Sequence, residues 1–273
     1  MILKQFFVIA ALLFSILPSK AQMSLADSEL ELQEQFENLT MAGSDSLKLK
    51  LSDEIMETLK LTLKKEGSFN YPFDLLVNLG KVGSSDEKLR IYSWNCTLEN
   101  GEYRYYSLLQ RKQGRKMSSV ELKHNVEIPE SMETKLSPTQ WLGALYYQIV
   151  PFENKNKTMY LLLGWDGNEG RTCKKVIETL SFSKTGEAEL GVPLINWRGK
   201  RLSRVIFEYS KQVQMSLKYH QREKLVVFDH LSPSEARYAN QFEYYGPDFS
   251  YDALQFKNGM WHLIEEFDMN QLN

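Results

Sequence analysis

The residues best suited to chemistry are a histidine and three aspartates near the end of the chain. Asp229 and His230 follow four successive apolar residues, and Asp248 and Asp252 follow a Pro-containing loop. If these groups meet at one rim of a sheet, two carboxylates beside an imidazole can serve as general acid and base, or can cleave a glycosidic bond. The alternative is structural, with the aspartates bonding backbone amides in turns and His230 lying on the surface.

A second group of residues has the character of a binding surface. Lys and Arg are frequent in residues 198–224, where Tyr219 is interleaved with them. Arg204 and Tyr219 from this tract, with Tyr251 beside the carboxylates, are candidate ligand-binding residues, and an anionic glycan or a nucleic acid strand suits such a surface. The alternative is that the cations blunt sheet edges. Export, argued below, makes nucleic acid the less favoured partner, and we expect none.

The sequence does not support a binding motif for a metal or a cofactor. Residues 166–170, Asp-Gly-Asn-Glu-Gly, have oxygen donors at their first and third positions but lack the later donors of a calcium loop, so a hairpin turn is the simpler interpretation. The sequence contains no histidine pair at i, i+4, no Gly-rich phosphate loop and no nucleophile elbow. We therefore predict no metal and no cofactor, and whether the protein is an enzyme stays open.

The elements that position these residues are β-strands. Residues 204–230 are predicted to form a three-strand meander. Its middle strand alternates apolar and polar residues over 212–220, and its last strand, 224–228, is apolar enough to be buried on both faces. Asn100-Gly101 predicts a tight hairpin turn. About ten short strands with regular turn signals predict an antiparallel body, either a curved sheet, a barrel or a sandwich. Aromatic residues in such strands are interpreted mostly as core.

Helical character is confined to the N-terminal region. Leu30, Phe36 and Leu39 are expected on one face of a first helix, and leucines at i, i+4 favour a second helix after Gly43-Ser44-Asp45, although a period of two is also present. The predicted fold class is α+β and mostly β, with N-terminal helices packed on a large antiparallel β-meander. The predicted division is a helical segment at 22–84 and a β domain at 85–273.

The start of the chain has the features of a secretory signal. An uncharged apolar run at 6–17 precedes small residues at Ser19 and Ala21, which predicts a signal peptide at 1–21 cleaved after Ala21. The run is shorter than the ~20 residues of a membrane-spanning helix, and no later run is apolar enough, so no span is expected after cleavage. The protein is therefore expected to be secreted or periplasmic. A formal net charge of −2 does not indicate a polyanionic partner for the whole chain.

The two cysteines, Cys96 and Cys173, allow one intramolecular pairing. Export to an oxidising compartment favours a disulfide between them. Two separate buried thiols are the alternative, and the sequence leaves both open. Neither cysteine has a nucleophile motif around it.

Several tracts, in order along the chain, resemble those of a family of secreted proteins from Bacteroidetes-type bacteria. The tracts are residues 89–95, Leu-Arg-Ile-Tyr-Ser-Trp-Asn, followed by 162–168, 204–210, 228–233 and 245–252. The resemblance covers roughly residues 85 to 267. It implies export and a β-rich body, and it transfers no catalytic residue.

Together these features predict an exported, non-enzymatic binding module or a protein associated with the cell envelope, with a glycan or an envelope protein as its partner. The alternative is a secreted hydrolase of a glycan-type substrate that uses Asp229, His230, Asp248 or Asp252 at one rim of the sheet. The binding hypothesis requires exposed aromatic or basic side chains on one face. The hydrolase hypothesis requires that the carboxylates and the imidazole converge.

Overall fold

The computed structural model describes residues 23–127 and 130–272. The predicted signal peptide at 1–21 lies outside the described residues. Within them, two α-helices precede a long succession of β-strands, as predicted.

Both helices begin at serine N-caps. Helix α1, Leu25–Met41, starts after Ser24, whose side chain accepts a hydrogen bond from the backbone of Asp27 while the Asp27 carboxylate accepts one from the backbone of Ser24. Helix α2, Asp45–Thr62, starts after Ser44. Caps of this kind satisfy backbone N–H groups that have no partner inside the helix. Neither of these helices is long and apolar enough to cross a membrane.

The prediction for the buried face of α1 is correct in part. Phe36 and Leu39 are buried, but Leu30 is exposed and Leu32 is buried instead. Leu32 lies four residues before Phe36, so the two share a face, whereas six residues place Leu30 well away from it.

The strands in chain order are β1 (Gly80–Gly83), β2 (Leu89–Thr97), β3 (Tyr103–Gln113), β4 (Lys116–Lys123), β5 (Leu145–Asn154), β6 (Lys157–Asp166), β7 (Thr172–Phe182), β8 (Ala188–Leu190), β9 (Ile195–Trp197), β10 (Lys200–Leu202), β11 (Arg204–Ser210), β12 (Leu217–His220), β13 (Leu225–Pro233), β14 (Tyr245–Lys257) and β15 (Met260–Ile264). They form three sheets.

The first sheet has the order β1-β2-β3-β4, the second β11-β7-β6-β5 with β8 beside β7, and the third β10-β9-β15-β14-β13-β12. All pairings are antiparallel except that of β15 with β9. The described sheets are open rather than closed into a barrel, so the sandwich is the correct one of the predicted architectures. The turn between β2 and β3 uses Gly101 at φ 86°, as its Asn-Gly sequence predicts.

The helices and sheets stack as four successive layers. One core lies between the helices and the first sheet, a second between the first and second sheets, and a third between the second and third sheets. The helices therefore share a core with β2 and β3. The prediction for β13 is confirmed, because Val226 and Phe228 face the second sheet while Leu225 and Val227 pack with Phe267 on the outer side.

The predicted three-strand meander is wrong in its first strand. β11 pairs with β7 in the second sheet, and residues 211–216 carry the chain across to β12 in the third sheet. Only β12 and β13 form the expected hairpin. The apolar residues of β11 show that it is a buried strand, but they do not specify the strand beside it.

The cysteines are two buried free thiols. Cys96 lies in the core between the helices and the first sheet, and Cys173 lies in the core between the second and third sheets. Burial raises the pKa of both thiols. Because different layers hold the two residues, the structure favours separate thiols over a disulfide.

Candidate functional site

The imidazole of His230 meets the carboxylate of Asp252 where β13 and β14 pair. His230 Nδ1 lies 2.8 Å from Asp252 Oδ2, while Asp252 Oδ1 accepts a hydrogen bond of 3.0 Å from the backbone N–H of Glu266. An ionised carboxylate only accepts hydrogen bonds, so this contact places a proton on Nδ1. Asp252 is thus held by two hydrogen bonds, and it orients a partly exposed imidazole.

A bulge in β14 lies directly opposite His230. Asp229 pairs with Tyr251 and Leu231 pairs with Pro247, so residues 248–250 of β14 face a single residue of β13. Asp248 Oδ1 accepts hydrogen bonds from the backbone and the hydroxyl of Ser250, which closes the bulge. The bulge is therefore a built turn, and bulges of this kind re-aim side chains.

Asp248 also belongs to the same rim as His230. Partial burial raises the pKa of its carboxyl. The hydrogen bonds from Ser250, the nearby His230 and a hydrogen bond from Ser232 lower the pKa by more than burial raises it, so the pKa of Asp248 lies below its usual value. Asp248 is consequently ionised at neutral pH. The structure thus brings together three of the four predicted residues, His230, Asp248 and Asp252.

Asp229 does not join them. Its carboxylate accepts a hydrogen bond of 2.7 Å from the backbone of Ser216, and its own N–H donates to the Ser216 carbonyl. Successive residues of a strand point to opposite faces, which separates Asp229 from His230. Asp229 therefore has the structural role given above as the alternative, in which an aspartate bonds a backbone amide.

The segment 234–250 beside this rim, which we call the aromatic arm, presents aromatic rings to solvent. The side chains of Phe249, Tyr244 and Phe242 are 92%, 42% and 38% exposed. Tyr238 and Tyr244 stack with their ring centroids 4.0 Å apart, and Phe242 packs beside Tyr245. Clustered exposed rings are typical of interaction surfaces.

Phe249 is the most unusual residue of the aromatic arm. It occupies the tip of the bulge with φ at 70°, in the left-handed region that is unfavourable for a bulky side chain. The backbone thus accepts strain at the position where an apolar ring projects into water. Strained backbone positions are often found at functional sites.

The aromatic arm was missed by the sequence interpretation, which assigned most aromatic residues to the core. Five aromatic residues lie between Pro233 and Tyr251, a tract with few aliphatic residues. That combination was the available signal, because a core segment ordinarily mixes aromatic and aliphatic side chains.

The candidate ligand-binding residues lie apart from one another. Arg204 is completely buried and donates from Nε to Glu178 at 2.7 Å and from Nη1 to two carbonyls, so it has no surface for an external ligand. Tyr219 is partly buried, and its backbone N–H donates to Gln148. Tyr251 packs against the outer cluster that contains Phe267. None of the three belongs to the exposed rings of the aromatic arm.

A polar cavity of about 210 Å³ lies elsewhere, where the first and second sheets meet. Tyr105 donates its hydroxyl proton to Asp166 and accepts a hydrogen bond from the backbone of Gly167. Burial raises the pKa of the Asp166 carboxyl. The Asp166 carboxylate also accepts a hydrogen bond from the backbone of Asn168, whose φ is 49°, as expected of a turn.

His124 also lines this cavity. Its Nδ1 accepts a hydrogen bond of 3.2 Å from the backbone of Tyr105. Burial, together with the positive charge of Arg104, lowers the pKa of the imidazole to about 4, so the ring is neutral at physiological pH. In the part of the chain that the structure describes, no three or more His, Cys, Asp or Glu side chains are placed to hold a metal ion. The polar groups here mainly join the two sheets.

Comparison with protein-family models, with curated proteins and with solved structures finds no match for this chain.

Proposed function

We propose that the protein is an exported, non-enzymatic binding module that holds glycans on its aromatic arm. The observation that carries this proposal is the exposure of Phe249, Tyr244 and Phe242 in one short segment. Apolar rings at a surface gain free energy when a partner covers them. The aromatic arm thus supplies the exposed aromatic face that a binding module requires.

The aromatic arm is organised before any ligand arrives. The backbone of Ser234 donates to the carbonyl of Tyr244, and the backbone of Asn240 donates to the hydroxyl of Tyr245. The Arg237 guanidinium lies over the ring of Tyr238 and also pairs with a neighbouring glutamate. Because these contacts already order the segment, a ligand loses less free energy in ordering it.

A glycan fits this chemistry because a sugar ring has an apolar face and a rim of hydroxyl groups. The rings of Tyr244 and Phe249 can cover the apolar face. Carboxylate and amide groups near the rings can bond the hydroxyls, as is usual at sites that combine apolar walls with a few polar groups. The exposed polar residues that directly adjoin exposed rings in sequence are Gln241, Asp248 and Ser250.

The experiment is a screen of the chain from Gln22 onward against a glycan array, followed by titration of the sugars that bind. Tyr244→Ala and Phe249→Ala are expected to weaken binding about tenfold or more, because a central aromatic contact contributes more than 1 kcal/mol. Val77→Ala is the matched control, since Val77 is 85% exposed far from the aromatic arm in sequence. Glycan binding that both arm variants leave unchanged contradicts the proposal, as does binding of an envelope protein alone.

The second candidate is a secreted hydrolase at the same rim, and the contact between His230 and Asp252 favours it. In that function Asp252 orients His230, His230 transfers a proton and Asp248 supplies a second carboxylate. Release of reducing ends from the glycans that bind is the measurement. If turnover occurs, His230→Ala abolishes it while binding persists; binding without turnover supports the module.

We also propose that the chain is cleaved after Ala21 and acts in the periplasm or outside the cell. The apolar run at 6–17 and the small residues at Ser19 and Ala21 support this localisation. N-terminal sequencing of protein recovered from the expressing cell tests it, with Gln22 expected as the first residue. A chain that still begins at Met1 contradicts it.

A further inference from the structure

The polar cavity between the first and second sheets is not used by the proposed function. The aromatic arm lies at β13 and β14 of the third sheet, whereas this cavity of about 210 Å³ opens between β3 of the first sheet and the end of β6 in the second. Tyr103 and Tyr105 line it from β3, and Asp166 and Asn168 line it from the other side. A cavity on which a few polar groups converge is a candidate ligand site.

The carboxylate of Asp166 is only half used by the protein. Its Oδ1 accepts two hydrogen bonds, from the Tyr105 hydroxyl at 2.7 Å and from the backbone N–H of Asn168 at 2.8 Å, whereas its Oδ2 accepts none from the described residues. Lys174 stands directly opposite Asp166 on β7, but its ammonium group bonds Glu130 instead. A partly buried carboxylate without an ion pair has lost water and gained no cation in exchange. Asp166 therefore favours a cation in the cavity.

The remaining lining strengthens the preference for a cation. It contains three further carboxylates, from Glu102, Glu130 and Glu169, and no lysine or arginine. The imidazole of His124 adds no positive charge at neutral pH, since its pKa is about 4. Within residues 23–127 and 130–272, these acidic groups are not gathered in threes around one point, as a metal ion requires. Dispersed carboxylates suit an elongated organic cation better than a metal ion.

An aromatic wall completes the cavity. The ring of Tyr103 stacks on that of Tyr105 with centroids 6.1 Å apart, and it meets Trp165 in a T-shaped contact at 6.0 Å. Gly167 permits this arrangement, because a Cβ at that position would lie 2.4 Å from the Tyr103 ring. The faces of tyrosine rings attract ammonium groups. Partly buried Leu142 adds an apolar surface that an alkyl chain can cover.

We propose that this cavity binds a small aliphatic diamine. One ammonium group bonds Asp166 Oδ2 and lies against the ring of Tyr103, and the alkyl chain passes Leu142. The second ammonium group reaches Glu102 and Glu169, whose side chains line the cavity and are exposed. An ammonium group has three N–H donors and no acceptor, which matches a lining of carboxylates. A neutral sugar has no charge to offset that of Asp166, so this ligand differs in class from that of the aromatic arm.

The experiment is calorimetric titration of the chain from Gln22 onward with three matched molecules. Putrescine has an ammonium group at each end, butylamine keeps one of them, and butanediol has none. We expect putrescine to bind about tenfold more tightly than butylamine, because its second ammonium group adds a charged hydrogen bond, and we expect butanediol not to bind. Calcium chloride is titrated in parallel as the competing type of cation.

Asp166→Asn tests the inner contact. The variant keeps an oxygen for the donors of Tyr105 and Asn168 but removes the charge, and we expect it to weaken putrescine binding about tenfold or more. Asp53→Asn is the matched control, because it removes the same charge from an exposed position on α2. Thermal unfolding checks that each variant is folded.

Glu102→Gln combined with Glu169→Gln tests the outer contact, and both residues are exposed, so this variant decides the matter even if Asp166→Asn does not fold. We expect it to lower the affinity for putrescine to that for butylamine and to leave butylamine binding unchanged. The proposal is overturned if neither amine binds, or if butanediol or calcium binds as tightly as putrescine. It is also overturned if Asp53→Asn weakens putrescine binding as much as the variants of the cavity do.

Discussion

Two contacts between a basic side chain and a carboxylate, of nearly equal length, lie in very different surroundings. Arg204 Nε is 2.7 Å from Glu178, with side chains 1% and 4% exposed, whereas His230 Nδ1 is 2.8 Å from Asp252, with side chains 37% and 8% exposed. The first pair is enclosed between sheets and the second opens onto the rim beside the aromatic arm. The distance within a pair does not show whether the pair is structural or can be reached by a ligand. The exposure of one partner does.

The enclosed pair is also the more heavily bonded. Glu178 accepts a second hydrogen bond from the hydroxyl of Tyr146, which in turn accepts one from Trp141 Nε1. Arg204 donates to the carbonyls of Ser131 and Thr134. A buried charge needs such compensation because it has lost its water. Water still reaches the imidazole of His230, so the loss of Asp252 is expected to lower the free energy of unfolding by less than the loss of Glu178 does.

The largest expected effect comes from breaking the enclosed pair. Glu178→Leu leaves the Arg204 charge buried without its carboxylate, and we expect the free energy of unfolding to fall by about 3–5 kcal/mol. Urea unfolding measures the change. Glu178→Leu combined with Arg204→Met removes both charges and is expected to recover much of the loss. If Glu178→Leu alone lowers the free energy of unfolding by less than about 1 kcal/mol, the enclosed pair is no more important for stability than the pair at the rim.

The next effect is the dependence of stability on pH that His124 causes. Its neutral ring lies where the first and second sheets meet. The unfolded chain protonates this histidine near the ordinary imidazole pKa of 6.5, whereas the folded chain does so only near a pKa of about 4. The unfolded state therefore binds more protons between these values, so stability falls as the pH drops through this window.

Because the His124 ring is partly exposed, we expect about 2 kcal/mol of acid destabilisation from it. His124→Asn keeps an acceptor for the backbone of Tyr105 but does not titrate in this window. Urea unfolding at pH 7.5 and at pH 4.5 measures the difference for both chains. An acid loss of stability that is the same in the variant and in the wild type contradicts the assignment.

A smaller effect is expected at the rim. Asp252→Asn keeps an oxygen that accepts from the backbone of Glu266 but removes the charge beside His230, and we expect a loss of about 1 kcal/mol. Urea unfolding measures it, and nitrogen-15 NMR of the imidazole reports whether the proton stays on Nδ1. A loss as large as that of Glu178→Leu would make the rim pair structural as well.

The smallest effect is expected at the tip of the bulge. Phe249→Asn is expected to leave stability unchanged or to raise it by about 0.5 kcal/mol, because asparagine tolerates the left-handed backbone better than phenylalanine does. The same variant is expected to weaken glycan binding. Thermal unfolding and glycan titration measure the two quantities separately. A stability loss above about 1 kcal/mol would show that Phe249 is a packing residue.

Local features of the fold were predictable because short-range rules govern them. Ser44 caps α2, Gly101 occupies the hairpin turn, and four apolar residues from Leu225 onward are buried on both faces. The sequence also indicated that His230 and Asp252 could meet, since Asp229-His230 ends an apolar run and Asp252 follows a Pro-containing loop. The prediction placed Asp229 in the same site as His230, although adjacent residues of a strand point to opposite faces of the sheet.

The sequence by itself determined the helix caps, the turns, and which strands carry an apolar face, because each depends on residues a few positions apart. Only the tertiary structure decided that β11 joins the second sheet, that Arg204 is enclosed and that Phe249 is exposed. A period of two shows that a face is apolar, but what covers that face is set by segments distant in the chain. Exposure, and with it availability to a ligand, is therefore a property of the assembled layers.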